Sequence, residues 1–257
     1  LAFRQMYAEA IVDGPDHHYA IAAKGSLTNP SQFVEFMTAM CLEHEFRTPA
    51  VLNKDAVAMC VRAQEAAVDI HALRELAYTM LLKSSVRLHL NTRISRDEMR
   101  QFDHQVVATY ADLNELTDAR VYQYEVCEVP VVRLPVQFRD TSVVVLDGPF
   151  MGVDPYGRTD QCLLYDVEHS VHVRSIGFEP EVPAPYREVV NKGVTKAPEV
   201  SRISQIIESG LRFFPDLHTA EHVGSLFTVR AVLPHVEDTD TRPTLVNRGE
   251  NGEIVLF

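Results

Sequence analysis

From residue 105 onward the chain is dominated by runs in which apolar and polar residues alternate: QVVATY, VYQYEVCEVPVVRLPV, TSVVVLDG and CLLYDVEHSVHVRSI, with SLFTVRAVLPHV following near the end. A period of two sends successive side chains to opposite sides of a strand, and several such strands in succession imply an antiparallel sheet. Helical periodicity is confined to a few segments. Asn29-Pro30 before SQFVEFMTAMCLEHEF reads as a helix start, with Asn29 as cap, Pro30 at the first position, and Phe33, Phe36, Met37 and Met40 as the apolar face. A second helix opens at Asp69 and carries Ile70, Leu73, Leu76, Ala77, Met80 and Leu81 on one expected buried face. Val86 to Ile94 then alternates as a half-buried strand, and Pro198 to Phe214 is helical by Val200, Ile203, Ile206, Ile207 and Leu211. The expected fold class is α+β, an antiparallel sheet covered by helices, with elements of a neighbouring α/β layer. No repeat, low-complexity tract or Gly/Ser linker divides the chain.

Apolar residues make up 46% of the 257, enough for a substantial core and against disorder as a whole-chain state. The charge balance, 24 basic against 36 acidic residues, leaves −12 and no offsetting basic cluster, which argues against nucleic acid as partner. No apolar run approaches the ~18 residues of a membrane-spanning helix. Cys41, Cys60, Cys127 and Cys162 fit neither a zinc knuckle nor a CxxC pair and read as buried thiols, with a reducing, cytoplasmic location as the default. The chain starts at Leu1 and stops within the strand-like run Glu253 to Phe257, so both ends look cut and it reads as the middle and late part of a longer protein.

Several groups of residues invite chemistry. His218, Glu221 and His222 in HTAEH match the H-x-x-E-H pattern of inverted zinc peptidases, which needs both histidines on one helical face. Pro215 and Gly224 crowd that segment and leave little helix to fix the geometry, and no third ligand is recognisable downstream, so no metal site is assigned. His169 and His172 are three apart, which on a strand sends them to opposite faces, one inward and one solvated. Asp16, His17, His18 and Tyr19 place titratable groups beside an aromatic, although a polar turn is the simpler account of them. Arg230 lies in the apolar strand FTVRAVLP and Arg242 in DTDTRPTLV. An arginine among apolar residues must pair with a protein carboxylate or face a site, where its fork suits a substrate carboxylate. No GxGxxG, GxSxG or P-loop occurs in the chain.

In segment order the chain resembles the FAD-dependent oxidoreductases of the D-amino-acid-oxidase-like superfamily, from after their flavin fingerprint to just short of their C-terminus. Four stretches carry this. AQEAAVDIHALRELAYTMLLKSSVRLHLNTRI is similar to the passage that ends beside the cofactor, and FDHQVVATYADLNEL to the strand and turn returning to the FAD domain. GPFMGVDPYGRTDQCLLYDVEH looks like the hairpin before a substrate-domain strand, and VRAVLPHVEDTDTRPTLV like the late passage of arginines facing the flavin. The chain departs from the family at Tyr110-Ala111, where a glycine is usual, and in the short loop from Ile94 to Asp103, which implies a reduced β-layer.

The resemblance implies FAD as cofactor and hydride removal from an amine- or hydroxyl-bearing carbon of a small, carboxylate-containing substrate. It implies a partial FAD-binding domain with helical insertions over 1–120, an antiparallel-sheet substrate domain over 121–235, and a return to the FAD domain over 236–257. Arg230, His169 and Tyr156 are the catalytic candidates; Thr92, Arg93, Ile94, Thr109, Tyr110 and Arg242 are the cofactor-side candidates. A zinc-dependent hydrolase using HTAEH, and a non-catalytic module that has lost the cofactor, are the competing expectations. The oligomeric state is left open.

Overall fold

The computed structural model describes residues 2–148, 150–235, 245–249 and 252–257. Its principal strands are β1 (Asp16–Ala22), β2 (His44–Phe46), β3 (Val57–Ala63), β4 (Tyr122–Arg133), β5 (Thr141–Leu146), β6 (Met151–Pro155), β7 (Cys162–Asp166), β8 (Val171–Gly177), β9 (Glu221–Val232), β10 (Val246–Arg248) and β11 (Ile254–Leu256). The longer helices are α1 (Pro30–Ala39), α2 (Ile70–Lys83) and α3 (Ile203–Gly210). They fall into two compact units, one made of Leu1–Arg87, Val129–Ser170 and Val194–Leu226, the other of Leu88–Glu128, Val171–Gly193 and Phe227–Phe257. The units therefore interleave along the chain, unlike the three consecutive spans expected from the sequence. The physical reason is the pairing of β1 with β5, Asp16 opposite Thr141 through Ile21 opposite Leu146, which builds the N-terminal residues into the same sheet as the central strands.

In the first unit the strands run in the order β7, β6, β5, β1, β3, β2, with Val131 and Val132 of β4 beside β7. All these pairings are antiparallel except β5 with β1. Ala20, Ala22, Val143, Val145, Val153, Cys162 and Leu164 from one sheet face form a core with Phe138, Ile206, Phe213, Phe214 and Leu217. Phe138 and Phe214 are fully buried, each worth about 1.5–3 kcal/mol by transfer from water.

Local capping works as the sequence dictates. Asn29 accepts from the Gln32 amide while Gln32 accepts from the Asn29 amide, both at 3.0 Å, and Pro30 occupies the first turn. Asp69 accepts from the His71 and Ala72 amides and starts α2. Gly157, at φ +57° in the hairpin between β6 and β7, packs against that same Asp69 carboxylate, where a Cβ would stand 3.3 Å from Oδ1. Arg158, next to it, reaches the Glu9 and Ile11 carbonyls and Asp69.

In the second unit β8 runs antiparallel to residues 122–127 of β4, β9 pairs with β4, and β11 lies between β10 and the short strand Val106–Val107. Met99, Val107, Leu113, Tyr122, Tyr124, Val229, Ala231 and Val255 make its core, with Tyr122 stacked on Phe257 at 4.7 Å.

Several expectations require correction. Val86 to Ile94 forms no strand: among the described residues no neighbour pairs with it, and Val86, Leu88, Leu90 and Ile94 are exposed. The helix at 70–83 is present, yet no residue of it is fully buried: Ala72, Leu73, Leu76 and Ala77 are half-buried on the side that meets the turn Ala8–Ala10, while Ile70, Met80 and Leu81 stay exposed. Of the expected face of α1 only Met37 is buried. The run from Cys162 to Ile176 is two strands, since Asp166 folds the chain back by accepting from the His169 amide at 2.5 Å while its carbonyl accepts from the Ser170 amide at 3.2 Å. The helix expected over 198–214 is confined to α3, and Cys41 is exposed while the other three cysteines are buried. Among the described residues no helix is long and apolar enough to cross a membrane.

Candidate substrate-binding face

Alternation sorts the first unit's sheet into two chemically different faces. In β1, His18, Ala20 and Ala22 point into the core side, so His17, Tyr19 and Ile21 point the other way. The same rule puts Ser142, Val144 and Leu146 of β5, Asp154 of β6, and Leu163 and Tyr165 of β7 on the face opposite the core. The Asp16 to Tyr19 cluster is thus not a polar turn. It is a strand in the middle of the sheet, flanked by β5 and β3, and its titratable groups stand on both faces.

On the open face Tyr19 donates its hydroxyl to Glu65 at 2.5 Å, and His17 Nδ1 lies 4.0 Å from the same carboxylate. The other ring nitrogen, His17 Nε2, is buried and has no hydrogen-bond partner among the described residues. Asp154 accepts from Ser142 at 2.5 Å. Burial raises the Asp154 carboxyl above its ordinary value; Ser142 and His17 act against that rise, and Glu65 adds to it. Burial, reinforced by the bond to Glu65, likewise raises the Tyr19 hydroxyl. These groups surround a cleft of about 280 Å³ that Tyr156, Tyr165 and His71 also line. A second cleft, about 550 Å³, shares Tyr19 and Glu65 with it and continues over Phe33, Phe36, Met37, Leu42 and Leu146.

The second unit holds a polar cluster of another kind. Glu125, buried in β4, accepts from Arg230 Nε at 2.9 Å and from its Nη2, from Arg174 at 3.1 Å and from Gln123 at 2.9 Å. Burial works to raise this carboxyl, but the Arg230 contact, helped by Gln123 and Arg174, holds it below the ordinary value. Burial works to lower the Arg230 guanidinium, and Glu125 holds it above its ordinary value. Of the two alternatives that the sequence left for Arg230, the structure shows pairing with a protein carboxylate.

No family model and no curated relative matches the chain. Solved structures do. Glycine oxidase from Geobacillus kaustophilus superposes with a TM-score of 0.65 at 15% identity, over 99% of this chain and 69% of that one. L-proline dehydrogenase from P. horikoshii gives 0.66 at 9% identity, over 99% and 70%, and L-amino acid deaminase from Proteus vulgaris 0.60 at 10%, over 99% and 73%. The chain has the fold shared by these three enzymes.

Within this fold Tyr156 and His169 belong to the first unit, and Thr92, Arg93, Ile94, Thr109, Tyr110 and Arg230 to the second. Tyr156 lines the smaller cleft and meets His71 edge to face at 5.7 Å. His169 is held in the turn after β7, and it is His172 that is inward, fully buried against Glu128 at 2.9 Å with the Tyr186 hydroxyl at 3.3 Å from Nδ1. Thr92, Arg93 and Ile94 lie in an exposed segment, where Thr92 donates to the Leu90 carbonyl at 3.1 Å and Arg93 pairs with Glu115. Thr109 is exposed, and Tyr110 takes φ +53°, the left-handed conformation for which glycine is suited. Arg242 lies outside the described residues.

A flavin dinucleotide needs free backbone amides at a helix N-terminus beside a glycine turn. The amides opening α1 and α2 already bond to Asn29 and Asp69, and the Ile203 amide opening α3 bonds to Ser201. Those three helix starts are thus taken by side-chain caps, and Thr92, Arg93, Ile94, Thr109 and Tyr110 open none of them, so the residues present do not by themselves fit a flavin dinucleotide.

The HTAEH segment is likewise divided: His218 sits in the turn Pro215–Thr219 with Nδ1 2.7 Å from the Pro215 carbonyl, while His222 is in β9 with Nε2 3.0 Å from Ser225 Oγ. Among the described residues no three His, Cys, Asp or Glu form a metal-binding group. Glu65 and Asp154 are the candidate site residues that sequence reasoning missed, while His17 was singled out in its cluster without a role. The DHHYAIA alternation was the available signal for His17; Glu65 and Asp154 carried none, because β3 and β6 had to be paired with their neighbours before they met.

Proposed function

We propose that this chain supplies the substrate-binding face of a flavin-dependent oxidoreductase that oxidises an amine-bearing carbon of a small molecule. The open face of β1, β5 and β6 carries the proposal, since it gathers two carboxylates, a buried imidazole nitrogen without a partner among the described residues and tyrosine rings around one cleft. Fold likeness alone does not assign chemistry, so the proposal rests on that site. Glu65 and Asp154 hold the substrate ammonium by charge, Tyr19 and Tyr156 bound it, and His17 Nε2 is the group we assign to exchange a proton with it. FAD enters as cofactor only where a glycine-rich cradle from outside these 257 residues joins the chain. Arg230 is given no substrate contact here, because Glu125 already occupies its guanidinium.

The test uses the full-length protein that contains this chain. Flavin absorbance near ~450 nm that bleaches anaerobically with primary or secondary amines is the expected result. Stoichiometric flavin that no amine bleaches, or purified protein without flavin affinity, overturns the proposal; the latter favours a binding module that kept the fold.

A further inference from the structure

The larger cleft gives the proposed substrate a shape. It joins the smaller one at Tyr19 and Glu65, so a carboxylate stands where a polar chamber meets an apolar one. The apolar side is built by α1, whose capping box fixes the helix while Phe36 remains 54% exposed inside a concavity of about 550 Å³. That volume is within the range of small-molecule sites, about 300–1,000 Å³. The polar side is acidic. Asp16, Glu43, Glu45, Glu65 and Asp154 line these clefts and the adjoining one, and the sole Lys or Arg among the lining residues, Arg62, donates to Asp16 at 2.7 Å. A carboxylate ligand would meet repulsion and find no open fork, whereas an ammonium meets two carboxylates and aromatic rings.

We propose that the open face takes an amphiphilic amine, with its ammonium between Glu65 and Asp154 and its apolar substituent against Phe33, Phe36 and Leu146. This inference rests on reading that face as the substrate-binding face, and it departs from the carboxylate-containing substrate that the sequence resemblance implied.

Cys41 supplies a readout that needs neither flavin nor turnover. It is exposed and lines the apolar cleft, while Cys60, Cys127 and Cys162 are buried, so N-ethylmaleimide modification of the full-length protein, read at the Cys41 peptide by mass spectrometry, reports on that cleft. Saturating n-hexylammonium should slow Cys41 modification about tenfold, while n-hexanoate and methylammonium at equal concentration should slow it less than about twofold. Glu65→Gln should raise the hexylammonium concentration needed about tenfold, the loss of one charge-assisted contact, and Asp154→Asn should do the same if Glu65→Gln fails to fold. Equal protection by hexanoate, or none by hexylammonium, overturns the inference in the unaltered protein without recourse to either variant. A protein whose flavin is bleached by amines while hexylammonium leaves Cys41 unprotected loses this inference alone. Protection by hexylammonium without flavin chemistry upholds the binding site and removes the oxidoreductase reading.

Discussion

Glu125 and Glu65 are both carboxylates belonging to sheet strands or their ends, and their surroundings differ in kind. Glu125 is 3% exposed and meets two guanidinium groups and an amide; Glu65 is 50% exposed and meets one tyrosine hydroxyl, with a histidine 4.0 Å away. A buried charge persists only when its lone pairs are taken up, so saturation is the condition for finding Glu125 where it is. A half-exposed carboxylate retains water and can exchange it for a ligand. The cluster with the stronger interactions is therefore the structural one, and the incomplete one is the candidate site.

The comparison is broken most directly at Arg230. Arg230→Ala should destabilise the protein by about 2–4 kcal/mol, since Arg174 and Gln123 remain to cover part of the buried charge. Arg230→Lys keeps the charge, loses the fork and should cost about 1–2 kcal/mol, with kcat/KM for the proposed amine oxidation unchanged in the full-length protein. Denaturant midpoints beside steady-state kinetics decide this: unaltered stability with collapsed kcat/KM would return Arg230 to the substrate.

The pH dependence of stability should separate Glu125 from the open-face carboxylate Asp154 by sign. Glu125 is held below its ordinary value, so its stabilisation is complete above about pH 4.3 and is lost as pH falls through the lowered folded value. Asp154 lies above its ordinary value, so its charge works against folding at neutral pH, and stability is recovered as pH falls through the folded value toward about 3.9. Denaturation midpoints from pH 7 to 3 check both: Asp154→Asn should flatten the upper limb and Glu125→Gln the lower one. Identical slopes in both variants would erase the distinction.

The sequence carried the parts of this molecule whose causes are local. Asn29-Pro30 and Asp69 start helices because a cap and its amides are within three residues, and β4, β5 and β9 follow from alternation alone. What failed was whatever needed a partner: the apolar face of α2 and the alternation of Val86 to Ile94 are genuine patterns, but burial and strand pairing depend on what lies alongside. The same holds for the site. Glu125 is 105 residues from Arg230 and met it only through the pairing of distant strands, and Asp154 reached His17 through β5.

Tyr110 sharpens the comparison at smaller scale, because it lies close enough to Arg230 for the guanidinium to bear on its hydroxyl, yet its own constraint is in the backbone. Comparing Tyr110→Gly with Tyr110→Ala removes the side chain in both and isolates the left-handed conformation. The glycine variant should be the more stable by about 1 kcal/mol in thermal or denaturant unfolding. Equal stability would show that φ relaxes there in solution.

The smallest expected effect falls on Glu65. Its hydrogen bond to Tyr19 is solvent-accessible, and exposed polar pairs contribute little because water replaces either partner. Glu65→Gln keeps the volume and an acceptor oxygen for Tyr19 while removing the charge, so stability should change by less than about 0.5 kcal/mol. Placed beside the loss expected for Arg230→Ala, that near-zero value is the sharpest form of the comparison: one carboxylate cluster holds a unit together, and the other has its charge to spare for a ligand. Unfolding midpoints measured on both variants in one buffer check it, and a Glu65→Gln loss as large as that of Arg230→Ala would make Glu65 a second structural ion-pair residue and leave the open face without its acidic anchor.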